Sequence, residues 1–269
     1  ILAIGAAVGG FATDLLGEHA VFVIDSLTYV ISGALLLRAV IPQDTDPVRK
    51  GPGMIRQAHN DILDGWRHLR THPEVGRIVL AKGAWTLSGS GLVYMLALLG
   101  GVLVPESPAV GIGILFSMRG LGTGVGPILA RRWFTDESYW PSLLGWCIAF
   151  SGAFYIVVAV SPWISIVAIA ALVTIAHSSS GANWVLSNIL LQQRTVDKFR
   201  GRVFATELLL FTGLDAVSII TASVLLEAGI LDLRGAIMAF SIAMVAVGVL
   251  WLLTIGRAEK RSLSTQSDP

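Results

Sequence analysis

The chain has 269 residues, of which 54% are hydrophobic and only 14% charged, with a net charge of +1 and a mean hydropathy of +0.73. Soluble domains carry roughly 25% charged residues, so the composition excludes a soluble globular protein and points to a polytopic, all-α membrane protein. The single cysteine, Cys147, lies in an apolar run and excludes an intrachain disulfide and any multi-cysteine metal site.

Eight apolar spans follow in order. The first, Ile1–Leu15, is incomplete: the chain opens in mid-helix without Met or a charged leader, so further helices are expected upstream. The second is His19–Val40. A polar loop, Ile41–Gly76, begins with the breakers Pro42, Pro47, Gly51, Pro52 and Gly53. Within it Ile55, Ile62, Trp66 and Leu69 recur at helical spacing, which predicts an amphipathic surface helix stopped at Pro73. The remaining spans are Arg77–Val102, Pro108–Ala130, Trp140–Val160, Trp163–Leu191, Val203–Leu226 and Gly235–Ile255. These six form two runs of three in opposite orientation, the pattern of an inverted repeat. Trp140 and Trp163, at span ends, read as interface anchors.

Basic residues set the orientation. Arg49, Lys50, Arg56, Arg67 and Arg70 lie in the long loop, Arg131 and Arg132 after the fourth span, Arg194, Lys198, Arg200 and Arg202 after the sixth, and Arg257, Lys260 and Arg261 in the tail. The alternate loops hold only Arg234. The alternation is unbroken and places both ends in the cytoplasm, with a multi-pass topology in the inner (plasma) membrane.

Two spans, a long cytoplasmic loop and six more spans resemble the last two-thirds of a major facilitator superfamily transporter. Gly5-Ala6-Ala7-Val8-Gly9-Gly10 resembles the fifth-helix antiporter motif G-P-x-x-G-G, with Ala6 at the proline position. Asp61–Pro73 and Gln192–Phe204 resemble loops of the macrolide-efflux and enterobactin-exporter branch, and Gly126–Arg132 resembles a degenerate basic motif between helices eight and nine. The resemblance implies family helices five to twelve. Residues 1–40 would end the N-terminal half, 41–76 would link the halves, 77–256 would form the complete six-helix C-terminal half, and 257–269 a cytoplasmic tail. It also implies that the N-terminal helices of the same protein are partners.

Candidate site residues come from polarity in apolar surroundings. Arg119 sits near mid-span, where a charge costs several kcal/mol and marks a functional site by default. It would bind an anionic group, pair with a carboxylate that takes up protons, or cap backbone carbonyls. Asp215, mid-span among Phe211, Leu214, Val217 and Ile219, reads as a proton carrier or as an aspartate hydrogen-bonded across helices. In the family fold their helices are not immediate neighbours. Asp25 reads as a structural hydrogen-bonder, and Lys82 and Glu207 as interfacial residues that snorkel. Ser180, Asn183, Trp184 and Ser187 share one face of the sixth span, together reading as a substrate-lining surface or as interhelical glue worth roughly 0.6–2 kcal/mol per contact. His177 reads as a packing residue. Gly5, Gly9, Gly10, Gly120, Gly122, Gly124 and Gly126 read as helix-packing positions. Arg131, Arg132, Arg200 and Arg202 form a basic motif for lipid headgroups or gating.

No HExxH, GxSxG or Walker A motif is present, which disfavours an enzyme. The expected function is secondary active transport, as proton-coupled efflux of an amphipathic small molecule such as a drug, macrolide or siderophore. The alternatives are a lipid flippase of the same fold or a non-transporting remnant or accessory protein. The bilayer, a small-molecule substrate and protons are the expected partners; no cofactor, metal or nucleic acid is expected.

Overall fold

The computed structural model describes residues 1–38 and 53–259, apart from the side chains of Met54, Ile55 and Ala58. These form nine α-helices: α1 Leu2–Leu16, α2 Glu18–Arg38, α3 Met54–Thr71, α4 Pro73–Leu103, α5 Pro108–Trp133, α6 Trp140–Val160, α7 Ile166–Arg194, α8 Asp197–Glu227 and α9 Leu233–Trp251. No strand occurs among the described residues. Seven helices, α2 and α4 to α9, are long and apolar enough to cross a membrane; α1 is a shorter apolar helix. The chain is an all-α, polytopic helical bundle of membrane type. The breakers Pro42, Pro47, Gly51 and Pro52 and the tail residues Lys260 and Arg261 lie outside the described residues.

Helix ends follow local chemistry. α4 begins at Pro73, ahead of the expected Arg77, because proline suits the first helical position, where its missing N–H is not needed. Gly17, at φ 80°, makes the one-residue junction between α1 and α2 that a side chain would strain. Asp232 caps α9 by accepting the Gly235 N–H at 2.8 Å. Pro127 interrupts the hydrogen-bond ladder of α5 and leaves the Thr123 carbonyl without its helical donor. Gly181 of α7 packs against that carbonyl.

α4, α6, α7 and α9 enclose most of the apolar core. Leu92, Leu96, Ile148, Val173, Ile237 and Met244 fill one half. Val75, Ile78, Leu144, Leu186 and Trp251 fill the half nearer the arginine-rich end. α5 packs on α7 where Gly122 lies against the Thr174 carbonyl and Gly126 against the Ser178 carbonyl. α1 packs on the other side of α5: Gly10 meets Ala109 and Gly113, and Gly120 meets Ala3. Gly5, Gly9 and Gly124 have nothing within 4 Å of an added Cβ, so the packing role expected of them is not seen: they face away from the α1–α5–α7 contacts.

Two further expectations change, those for Trp140 and Asp25. Trp140 is 2% exposed, and its indole donates to the Phe134 carbonyl at 2.9 Å, so it plugs the bundle end rather than anchoring an interface. Trp163 lies under the Arg234 guanidinium at 4.1 Å, while Arg234 donates to the carbonyls of Ala159 and Ser161 at the end of α6. Asp25 is exposed on α2, and its carboxylate makes no hydrogen bond among the described residues.

The arginine-rich end is cross-tied. Glu259, 3% exposed, pairs with Arg77 of α4 at 2.5 Å and Arg194 of α7 at 2.8 Å. The amphipathic helix α3 docks on α8. Arg202 pairs with Asp61 at 2.8 Å, Gly65 admits Thr206 and the Arg202 carbonyl, and Leu69 is buried. His68, 6% exposed, stacks between His72 at 4.0 Å and Phe199 at 4.6 Å. Burial, and then the neighbouring His72, hold the His68 imidazole below its ordinary value of 6.5, against an opposing pull from Glu74. Docking therefore favours the neutral ring. It has full strength above the ordinary value and weakens as pH falls below it, because the undocked ring protonates first. Hydrogen exchange across α3, corrected for intrinsic rates, should speed up between about pH 7.5 and about pH 5.5, and His68→Phe should remove that dependence.

Candidate functional site

A cavity of about 260 Å³ opens between α4, α5, α7 and α8. α4 supplies Lys82 and Trp85, α5 supplies Arg119 and Thr123, α7 supplies His177, Ser180, Asn183 and Trp184, and α8 supplies Phe211. The three-to-four spacing on α7 turns Ser180, Asn183 and Trp184 to the same side. Its wall is mixed, with three large aromatic rings and two cations.

The polar groups of the wall are mostly bonded to the protein. The Trp85 indole donates to Ser180 Oγ at 3.0 Å, and Ser180 also meets Ser151 Oγ at 3.1 Å. His177 Nε2 meets the Tyr155 hydroxyl at 2.8 Å and is fully enclosed. Asn183 donates to the Leu144 carbonyl at 3.2 Å. Thr123 donates to the Arg119 carbonyl at 2.8 Å. Trp184 meets Phe211 edge to face at 5.2 Å.

Lys82 and Glu207, expected as separate snorkelling residues, instead face each other. Lys82 Nζ lies 2.9 Å from Glu207 Oε1, and both side chains are 5% exposed. Lys82 also donates to Asn188 Oδ1 at 2.6 Å and stands 4.4 Å above the Trp184 ring. Each residue lies about ten positions into its helix from the arginine-rich end, too deep to reach that end when a partner of opposite charge is adjacent. Equal depth and opposite sign were the sequence signal for this pair.

Arg119 differs. It has no ion pair among the described residues, and its Nε is buried without a hydrogen-bond partner. Its one ring contact is with Phe116, at 5.7 Å. The structure thus brings Arg119, Ser180 and Asn183 to one cavity. Ser187 is buried against the Trp184 carbonyl, outside the lining. Asp215 is half-buried on α8 without a hydrogen bond or ion pair, also outside the lining and unpaired with Arg119. Of the basic motif, Arg131 and Arg132 are exposed, Arg200 pairs with Asp197 at 2.6 Å, and Arg202 holds α3. Among the described residues no cluster of three or more metal-ligating side chains occurs.

The family model of the Major Facilitator Superfamily matches residues 1–214. The chain belongs to this family. The match takes in every residue that lines the cavity and stops one residue short of Asp215. Neither the comparison with curated proteins nor that with solved structures gives a match. Membership places the chain among multi-pass secondary transporters, a family that is typically non-enzymatic.

Proposed function

We propose that the chain exports an amphipathic small molecule in exchange for protons, with the cavity beside Arg119 on the cargo route and the arginine-rich end in the cytoplasm. The observation that carries the reading is a half-buried arginine in a cavity with aromatic walls, without an ion pair among the described residues and with its Nε buried and unbonded, at mid-helix in a family of secondary transporters. A purely structural arginine would be expected to spend its donors on carbonyls or a carboxylate, as Arg234 does. The α7 face of Ser180 and Asn183, bonded within the bundle, completes the wall beside the aromatic rings. Asp215 is the proposed proton carrier, as the mid-span acid of α8 that has no ion pair among the described residues.

The test uses a host lacking its own efflux pumps and a panel of anionic, neutral and cationic amphipathic dyes. Expression should lower the accumulation of at least one dye, and a proton uncoupler should restore it. Asp215→Asn should cut uncoupler-sensitive export by about tenfold or more, the loss of one required proton-transfer group, at unchanged membrane abundance. Export that ignores the uncoupler overturns the coupling.

A second reading, a lipid flippase, is favoured by one observation. A largely apolar cavity of about 330 Å³ lies between α5, α6 and α7, walled by Trp133, Trp146 and Phe150, and it suits an acyl chain. Translocation of a fluorescent phospholipid by the reconstituted chain, without dye export, would select it.

A further inference from the structure

The charges around the Arg119 cavity do not balance, and the imbalance names a class of cargo. Two cations line it, Lys82 and Arg119. The first is neutralised by Glu207 at 2.9 Å and bonded to Asn188 at 2.6 Å. The second has no counter-charge among the described residues. Among the described residues that line this cavity, Arg119 Nε is the only buried side-chain polar atom without a hydrogen-bond partner. Meanwhile Ser180, His177, Asn183 and Thr123 are occupied by protein partners. A guanidinium has five donors in a planar fork, no acceptor, and stays charged. The complement of that fork is a carboxylate, sulfonate or phosphate, held by charge-assisted hydrogen bonds.

The rest of the wall specifies the body attached to that head. Trp85, Trp184 and Phe211 present large ring surfaces, and Trp184 and Phe211 meet edge to face at 5.2 Å. Flat apolar groups gain most from such surfaces. A volume of about 260 Å³ is compact beside the ~300–1,000 Å³ of typical ligand pockets. A small fused-ring acid matches these dimensions better than a macrocycle.

We propose that this cavity binds aromatic organic anions, with the Arg119 guanidinium anchoring the acidic head and Trp85, Trp184 and Phe211 holding the ring system. The proposal rests on the reading of the cavity as the cargo site and narrows it to one charge class. Cationic amphiphiles are disfavoured by the same unbalanced charge.

The test is calorimetric binding to the full chain in lipid nanodiscs, with empty nanodiscs subtracted. The probes are 2-naphthoate and 2-naphthamide, which share a ring body and differ in charge. Wild type should bind the naphthoate at least about tenfold more tightly, the size of one charge-assisted hydrogen bond. Arg119→Gln should reduce naphthoate affinity to that of the amide and leave the amide within about twofold, as expected for loss of the charged contact alone. Arg119→Lys should retain part of the preference, because it keeps the charge and loses the fork. Trp184→Ala should weaken both probes alike. Equal binding of the two probes by wild type, or a preference that survives Arg119→Gln, overturns the anion assignment and leaves a cargo cavity of another charge class. Binding of neither probe overturns both the assignment and the cargo-site reading. The two-probe comparison in wild type decides the matter even where a variant fails to fold.

Discussion

Glu207→Gln should destabilise the folded chain by about 3–5 kcal/mol, the usual effect of removing one partner from a buried ion pair. Lys82 and Glu207 face each other at 2.9 Å with both side chains 5% exposed. The glutamine would leave the Lys82 ammonium with Asn188 and the Trp184 ring but without its counter-charge. The expected readout is a large drop in the unfolding midpoint of the chain in nanodiscs. The joint replacement of Lys82→Met and Glu207→Leu should recover most of the loss, because a well-packed apolar pair avoids the desolvation of two ions. A midpoint unchanged in Glu207→Gln would mean that the pair contributes nothing to folding. Because Lys82 also lines the cavity, the rescued protein separates its structural contribution from any contact with cargo.

Gly126→Ala should be the most damaging single methyl group in the bundle, and Gly124→Ala, two residues away, close to neutral. At Gly126 a Cβ runs into the backbone of Ser178, and only a movement of α7 can relieve it. Overpacking by a methylene or more typically costs about 1–3 kcal/mol, and a backbone clash belongs at the upper end of that range. At Gly124 a Cβ meets nothing within 4 Å, and alanine gains helix propensity of up to about 1 kcal/mol. Folded yield and unfolding midpoint of the two variants, compared side by side, check the packing of α5 on α7. Equal behaviour of the two would place the contact elsewhere.

The helices were legible because a membrane span is a statement about length and apolarity, which the chain makes locally. Seven such helices and a shorter apolar one match the expected spans. The amphipathic helix was legible through its three-to-four periodicity, but its resting place was not. Periodicity marks an apolar face without saying whether lipid or α8 covers it, and the deciding features, Gly65 opposite Thr206 and Arg202 opposite Asp61, join distant parts of the chain. Arg119 stood out because one charge in an apolar run is conspicuous in one dimension. Lys82 and Glu207 were equally conspicuous, yet each alone fits snorkelling; only their proximity, a fact of the α4–α8 packing, makes them a pair. The glycines show the same limit. Overlapping four-residue spacings on α5 predicted close packing without specifying which face meets α7, which meets α1 and which meets neither. Glu259 gave no signal at all, since an acid in a polar tail is unremarkable until two arginines are brought to it.

The order of two neighbours on α5 has a mechanical consequence. Arg119 lines the cavity, and the next residue, Gly120, is pressed against Ala3 of α1. α1 in turn is joined to α2 through Gly17 alone. α1 therefore bears on α5 at the residue next to the guanidinium, and α2 follows α1 across one glycine. A lateral shift of α1 loads α5 directly beside the guanidinium, because Gly120 puts no side chain of its own between the two helices. Spin labels placed on α2 and on α8 would register such a shift as a change in separation, and cargo that engages Arg119 should alter the distribution of those distances.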